Sequence, residues 1–143
     1  MNSVSATFNN LYNYIGANIN TYLTQLGAAN ISSRNWHLGW KDIVGGADFP
    51  GGFLALHEGK PDQISKYEMQ DRPRFELWWA LTDKTSPNLA ASLFVDAVKQ
   101  LVLADQTLGG NCLWAELGVY QIATDDYNSS VAIVKFEIDT LIQ

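Results

Sequence analysis

Apolar residues recur at spacings of three and four through the first part of the chain: Val4, Phe8, Leu11, Tyr12, Ile15, Ile19, Tyr22, Leu23 and Leu26. At about 100° per residue they share one face of a helix, about 120° wide. Ser3 is placed to cap the start and Gly27 to stop the end. The opposite face carries Asn10, Asn13, Asn20, Thr21 and Thr24. A second helix opens at Ser86-Pro87, a cap followed by a first-turn proline, and runs to about Leu103. Its apolar residues cover most of the circumference and leave a narrow polar stripe at Ser92, Asp96, Lys99 and Gln100, so it is expected to be buried on more than one side.

Between and after the helices the pattern changes to a period of two. Trp36, Leu38 and Trp40 alternate, which predicts a strand. Residues 44–53 are rich in Gly and Pro and predict a loop. Phe53 to Glu58 predicts a short strand, Lys60-Pro-Asp62 a turn, and Ile64 to Gln70 a polar strand with Tyr67 and Met69 on one side. Pro73 suits a strand start. Arg74 to Thr82 follows as the clearest strand, and Phe75, Leu77, Trp79 and Leu81 are expected to face the core. Trp78 then points the other way beside Ala80, and something must cover it. A neighbouring subunit and a layer from residues 41–60 of the same chain are both open. Cys112 to Ala123 predicts a strand with Leu113, Ala115, Leu117 and Val119 on one face. Residues 124–130 form a turn. In the last strand, Val131 to Leu141, Ala132, Val134, Phe136 and Ile138 point one way and Val131, Ile133, Lys135, Glu137 and Asp139 the other. The predicted fold is α+β: one domain over 1–143, an antiparallel sheet with two main helices packed on it, and a C-terminal β-hairpin.

Charge sharpens this picture. No charged residue precedes Arg34, so the polar face of the first helix is neutral. Such a face is buried against another subunit more easily than one of Lys and Glu, because no ion is desolvated. An ordinary surface helix of unusual composition is the other reading. Charged residues make up 17% of the 143, against about 25% in a typical domain. With five Trp, six Tyr and six Phe, that balance suits either a surface buried against a partner or a monomer with a large core. The net charge of −6 argues against a domain that reads DNA or RNA, which needs a basic patch. It is compatible with an acidic wall past which nucleic acid slides.

Candidate chemistry is sparse. Cys112 is the only cysteine, so no internal disulfide forms and a reducing compartment is expected. It reads as a small buried residue more readily than as a nucleophile. The N-terminus does not read as a signal or transit peptide, and no apolar run approaches a membrane span of about 18 residues. Two matches to the N-glycosylation pattern, at Asn30 and Asn128, are read as coincidental. His37 and His57 belong to no metal-binding spacing, and the Gly-rich stretch lacks the Gly-Lys-Ser/Thr of a phosphate loop. Asp125-Asp126 is a carboxylate pair in a turn, where Asp is common anyway. No catalytic residue, cofactor or metal is expected.

One resemblance reaches further. A long N-terminal helix, then strands, then a mid-chain apolar helix lead to Leu108-Gly-Gly-Asn-Cys-Leu-Trp114, a strand, a polar turn and the final strand VAIVKFEIDTLI. This layout resembles the tail terminator (tail completion) proteins of long-tailed bacteriophages, over most of the chain in order of elements and locally around 101–141. Residues 31–61 match nothing in it. The resemblance implies a structural protein of the virion, assembled in the cytoplasm of a bacterial host. Such proteins form a ring, usually a hexamer, on the finished tail tube. The ring ends tube polymerisation, meets the neck or head connector, and lets double-stranded DNA pass through its centre without sequence-specific contact. On that reading Trp78, Asn10, Asn13, Thr21 and Ile133 are candidate subunit or partner contacts. The rivals are another head–tail connector or minor tail protein, and a ligand-binding or enzymatic α+β domain with a pocket at Trp36, His37 and Trp40.

Overall fold

The computed structural model describes residues 3–44, 49–125 and 128–143. The first helix, α1, spans Val4–Gln25. Ser3 caps it as expected: its hydroxyl accepts from the Ala6 N–H at 3.1 Å, a contact worth about 1 kcal/mol in helices generally. Gly27 follows with φ +74°, the left-handed conformation that ends a helix most easily. The second helix, α2, spans Pro87–Ala104. Its cap differs from expectation. The Ser86 side chain makes no capping bond. Asp83 instead accepts from the Thr85 and Ser86 N–H groups, both at 2.8 Å.

The main sheet has five strands: β1 (Trp36–Leu38), β2 (Gly51–Glu58), β5 (Arg74–Thr82), β6 (Trp114–Thr124) and β7 (Val131–Leu141). They lie in the order β1-β2-β5-β7-β6. Two short strands, β3 (Pro61–Gln63) and β4 (Met69–Asp71), form a separate hairpin. The fold is α+β with a closing β6–β7 hairpin, as the periodicity predicts. The sheet is antiparallel except at one edge, where β1 runs parallel to β2. β2 enters beside β1 in the same direction, an arrangement that no local pattern encodes.

Both helices pack on one face of the sheet, over a core built as the alternation requires. Leu11, Ile15, Ile19 and Leu23 of α1 and Phe94, Val98 and Leu101 of α2 meet Phe75, Leu77, Trp79 and Leu81 of β5 and Ala132, Val134, Phe136 and Ile138 of β7. Aromatic rings run through this core from α1 to α2. Tyr12 stacks on Trp36 at 5.4 Å, Trp36 on Trp79 at 5.0 Å, and Trp79 meets Phe94 at 5.8 Å. Tyr12 and Trp36 are also tied reciprocally: the phenol donates to the Trp36 carbonyl at 3.0 Å and the indole N–H to the Tyr12 carbonyl at 2.9 Å. Gly16 makes this possible, since a Cβ there would lie 2.6 Å from Trp36 Nε1.

Four local expectations are corrected. The predicted polar strand 64–70 and the turn at Lys60-Pro-Asp62 exchange places: Pro61–Gln63 pairs with Met69–Asp71, and the turn falls between them, where the Ile64 and Ser65 N–H groups donate to the Glu68 carbonyl. The few apolar residues here, Ile64, Tyr67 and Met69, stay exposed and do not pack on the core, so the segment pairs with its own continuation. The strand at Trp36 stops at Leu38, because Gly39 (φ +83°) turns the chain. Trp36 therefore joins the main core while Trp40 packs on Phe53 and Trp78. The strand predicted from Cys112 begins at Trp114. Val119 does not share a face with Ala115 and Leu117, because the pairing with β7 slips between Leu117 and Tyr120. One extra residue at Gly118-Val119 forms a bulge, so Tyr120 and Ile122 take up the core-facing alternation opposite Phe136 and Val134.

Candidate interface surfaces

The sheet face turned away from the helices divides into an apolar half and a charged half, both organised by β5. Registration places Trp78 directly between Phe53 of β2 and Lys135 of β7. Its ring stacks on Phe53 at 5.7 Å, meets the edge of Trp40 at 5.8 Å, and lies 5.8 Å from Lys135 Nζ. Ile43, Phe53 and Ala80 form a small buried cluster here, with Val44, Phe49, Ala55 and Trp78 packed against it. Residues of the 41–60 stretch thus cover Trp78 from within the chain. Trp78 remains half-buried, and Trp40 stands 74% exposed over it. Ile133, opposite Ala80, is also half-buried.

Beyond Trp78 the face becomes charged. Glu76 is only 7% exposed. It accepts from Trp78 Nε1 at 2.8 Å, and its other oxygen lies 3.0 Å from His57 Nδ1 and 3.6 Å from Lys135 Nζ. The cross-strand neighbour of Glu76 is Glu137, a like-charge pair that on its own disfavours the sheet. Arg74 offsets it. The guanidinium bonds Asp139 at 2.6 Å and Glu58 at 2.9 Å, and stands 3.9 Å from Glu137. The hydrogen bond to Asp139 and the surrounding carboxylates hold Arg74 above its ordinary pKa. The charges close largely on one another. They border a cleft of about 570 Å³ between the β3–β4 hairpin and the Trp114–Glu116 and Asp139–Leu141 segments.

The far edge of the sheet is β6. Eleven residues long, it carries one charge, Glu116, and neither Lys nor Pro. Trp114, Val119 and Tyr120 stand 46%, 63% and 46% exposed. The Ala115 N–H is taken by the Gln106 carbonyl at 2.8 Å. Among the described residues, no backbone group outside the sheet bonds the rest of this edge.

The five sequence-predicted contact residues do not form one patch. Asn10, Asn13 and Thr21 are exposed on α1, which lies on one face of the sheet. Trp78 and Ile133 lie on the other face. Asn20, on the neutral side of α1, is committed within the chain: its side-chain amide bonds both the N–H and the carbonyl of Ile31 at 2.8 and 2.9 Å. Trp36 and Trp40 go to different clusters, so Trp36, His37 and Trp40 do not line a single pocket. Cys112 is buried, and burial together with the nearby Asp105 pushes its thiol up to about 11. Asp126 lies outside the described residues, as does part of the Gly-rich stretch, 45–48. Among the described residues, no group of three or more His, Cys, Asp or Glu side chains is placed to hold a metal ion, and no helix is long and apolar enough to cross a membrane. The Glu76 hub is the feature that sequence reasoning missed. Its signal was a carboxylate set inside the most apolar strand, on the same face as Trp78.

No protein-family model matches the chain, and a search of curated proteins finds no match.

Proposed function

We propose that this chain is a structural subunit of a virus particle: a tail terminator that forms a ring, with six copies expected, on the end of the tail tube. The ring ends tube polymerisation and joins the tube to the neck or head connector, and double-stranded DNA passes through its lumen. One observation carries the reading: β6 is a long, nearly uncharged edge strand whose outer side, beyond Ala115, accepts and donates no backbone bond outside the sheet among the described residues. Such an edge is a template for strand addition by another chain. The resemblance in element order supports the virion assignment, and the net charge of −6 suits a lumen that repels phosphate. The charge-free outer side of α1, with Asn10, Asn13 and Thr21, and the sheet face at Trp78 and Ile133 offer unlike surfaces, as a heterologous ring requires.

The test is negative-stain imaging of tail tubes grown with and without the protein. Capping of one tube end and an arrest of growth are expected. Val119→Lys puts a charge on the free edge at an already exposed position and is expected to abolish capping while the fold is retained. Tubes that grow uncapped in the presence of the unaltered chain would contradict the proposal.

A further inference from the structure

The β3–β4 hairpin is an arm with an apolar tip. Every residue from 56 to 69 is exposed. Ile64, Tyr67 and Met69 stand 52%, 82% and 45% exposed. A two-stranded hairpin is marginal in water unless it packs on something. The base of this arm is fixed: Asp71 and Ile142 exchange two backbone bonds at 2.9 Å, and the Arg72 N–H donates to the Lys60 carbonyl at 3.2 Å. Among the described residues, no backbone hydrogen bond from outside the arm reaches the tip.

At the other end of the subunit lies an apolar groove of about 220 Å³, lined by Ala28, Phe49, Pro50, Leu81, Leu93 and Phe94. Strand direction fixes the separation of the two features. β2 starts beside the groove at Gly51 and ends at the arm, and β5 starts at the arm and ends beside the groove at Thr82. Nine extended residues span roughly 30 Å, more than an arm with three-residue strands can double back over. The tip carries Lys66 and Glu68, and the rim of the groove carries Asp83 followed by Lys84, so each end offers one charge of each sign.

We infer that the arm of one copy seats Ile64, Tyr67 and Met69 in the Leu81–Leu93–Phe94 groove of the next copy, head to tail. An arm at one end and its receptor at the other make a heterologous contact, the kind that closes into a ring when the rotation per copy allows it. The inference rests on the self-assembly reading above and adds a second contact to the one at the β6 edge.

Two variants of the full chain with one added cysteine each, Tyr67→Cys and Leu93→Cys, are mixed, oxidised and mapped by mass spectrometry. The native Cys112 is buried and serves as an internal control. A disulfide between positions 67 and 93 on different chains is expected. In parallel, Ile64→Ser with Tyr67→Ser is expected to lower the assembled fraction at least tenfold at fixed concentration, with circular dichroism and the unfolding midpoint unchanged. If the unaltered chain assembles but only 67–67 links or none form, or if the serine variant assembles normally, the arm–groove contact is refuted and self-assembly stands. A link from position 67 to a tube subunit in place of a second copy refutes it too. If the unaltered chain never assembles, the self-assembly reading fails first and the contact with it.

Discussion

Removing Lys135 tests the charged half of the outer sheet face. In Lys135→Met the aliphatic stem is kept, so the packing beside Trp78 changes little while the charge is lost. Glu76 then keeps only the Trp78 N–H and His57 as partners, with its side chain 9% exposed. Breaking a fully buried ion pair costs about 3–5 kcal/mol. Here Lys135 is 28% exposed and 3.6 Å away, so water reaches one partner and the effect shrinks to about 1–2 kcal/mol. Glu76→Gln is expected to cost a similar amount. The double variant should cost less than the two together, by a coupling of about 1 kcal/mol, because neither charge is left stranded. Urea unfolding followed by tryptophan fluorescence reads this directly. With a slope of about 2 kcal/mol per molar, in the middle of the range for small proteins, each single change lowers the midpoint by roughly 0.5–1 M. Single effects that add within about 0.3 kcal/mol in the double variant would show that the hub is not a coupled unit and refute the reasoning.

Three further outcomes follow from the core, the caps and the thiol. Gly16→Ala pushes a methyl against Trp36 and disturbs its reciprocal bonds with Tyr12, with an expected loss of about 1–3 kcal/mol in the same urea assay; an unchanged midpoint would show that the ring stack does not hold α1 to the sheet. Asp83 is held below its ordinary 3.8 by the Ser86 and Thr85 N–H groups, and Asp105 by the Thr107 hydroxyl, then the Thr107 and Gly109 N–H groups. Their stabilisation is complete above that ordinary value and is lost as pH falls through the lower folded-state values, so Asp83→Asn with Asp105→Asn should flatten the acid limb of stability against pH below about 5; an acid limb identical to that of the unaltered chain would refute this. Cys112, buried and raised to about 11, should react with iodoacetamide at pH 8 far more slowly in the native chain than in urea; equal rates would place it at the surface.

The elements legible in the sequence were those whose own side chains decide their structure. α1 was marked by nine apolar positions on one stripe and by Ser3, and β5 and β7 by strict alternation. Those patterns also identified the core residues Phe75, Leu77, Trp79 and Leu81, because burial enforces register. What stayed hidden depended on partners far away in the chain. The parallel pairing of β1 with β2 is a partner choice that neither strand's own pattern carries. The bulge at Gly118-Val119 is a mismatch between two strands, invisible in either alone. The arm reads as one polar strand over 64–70, and its actual pairing of 61–63 with 69–71 leaves no mark in the alternation. Trp78 posed a question that the alternation raised and could not answer: whether a neighbour or the same chain covers it. Phe53 and Trp40 of the same chain pack on it, beside the small cluster that Ile43 and Ala80 form with Phe53, while Trp40 itself stays exposed.

The central claim is that this chain associates with itself into a closed assembly. Light scattering on the purified full chain over a wide concentration range tests it most directly. The account predicts one species of about six times 15.9 kDa whose mass does not grow with concentration, as a closed ring requires. A mass that stays at 15.9 kDa throughout, or one that climbs without limit, would contradict it.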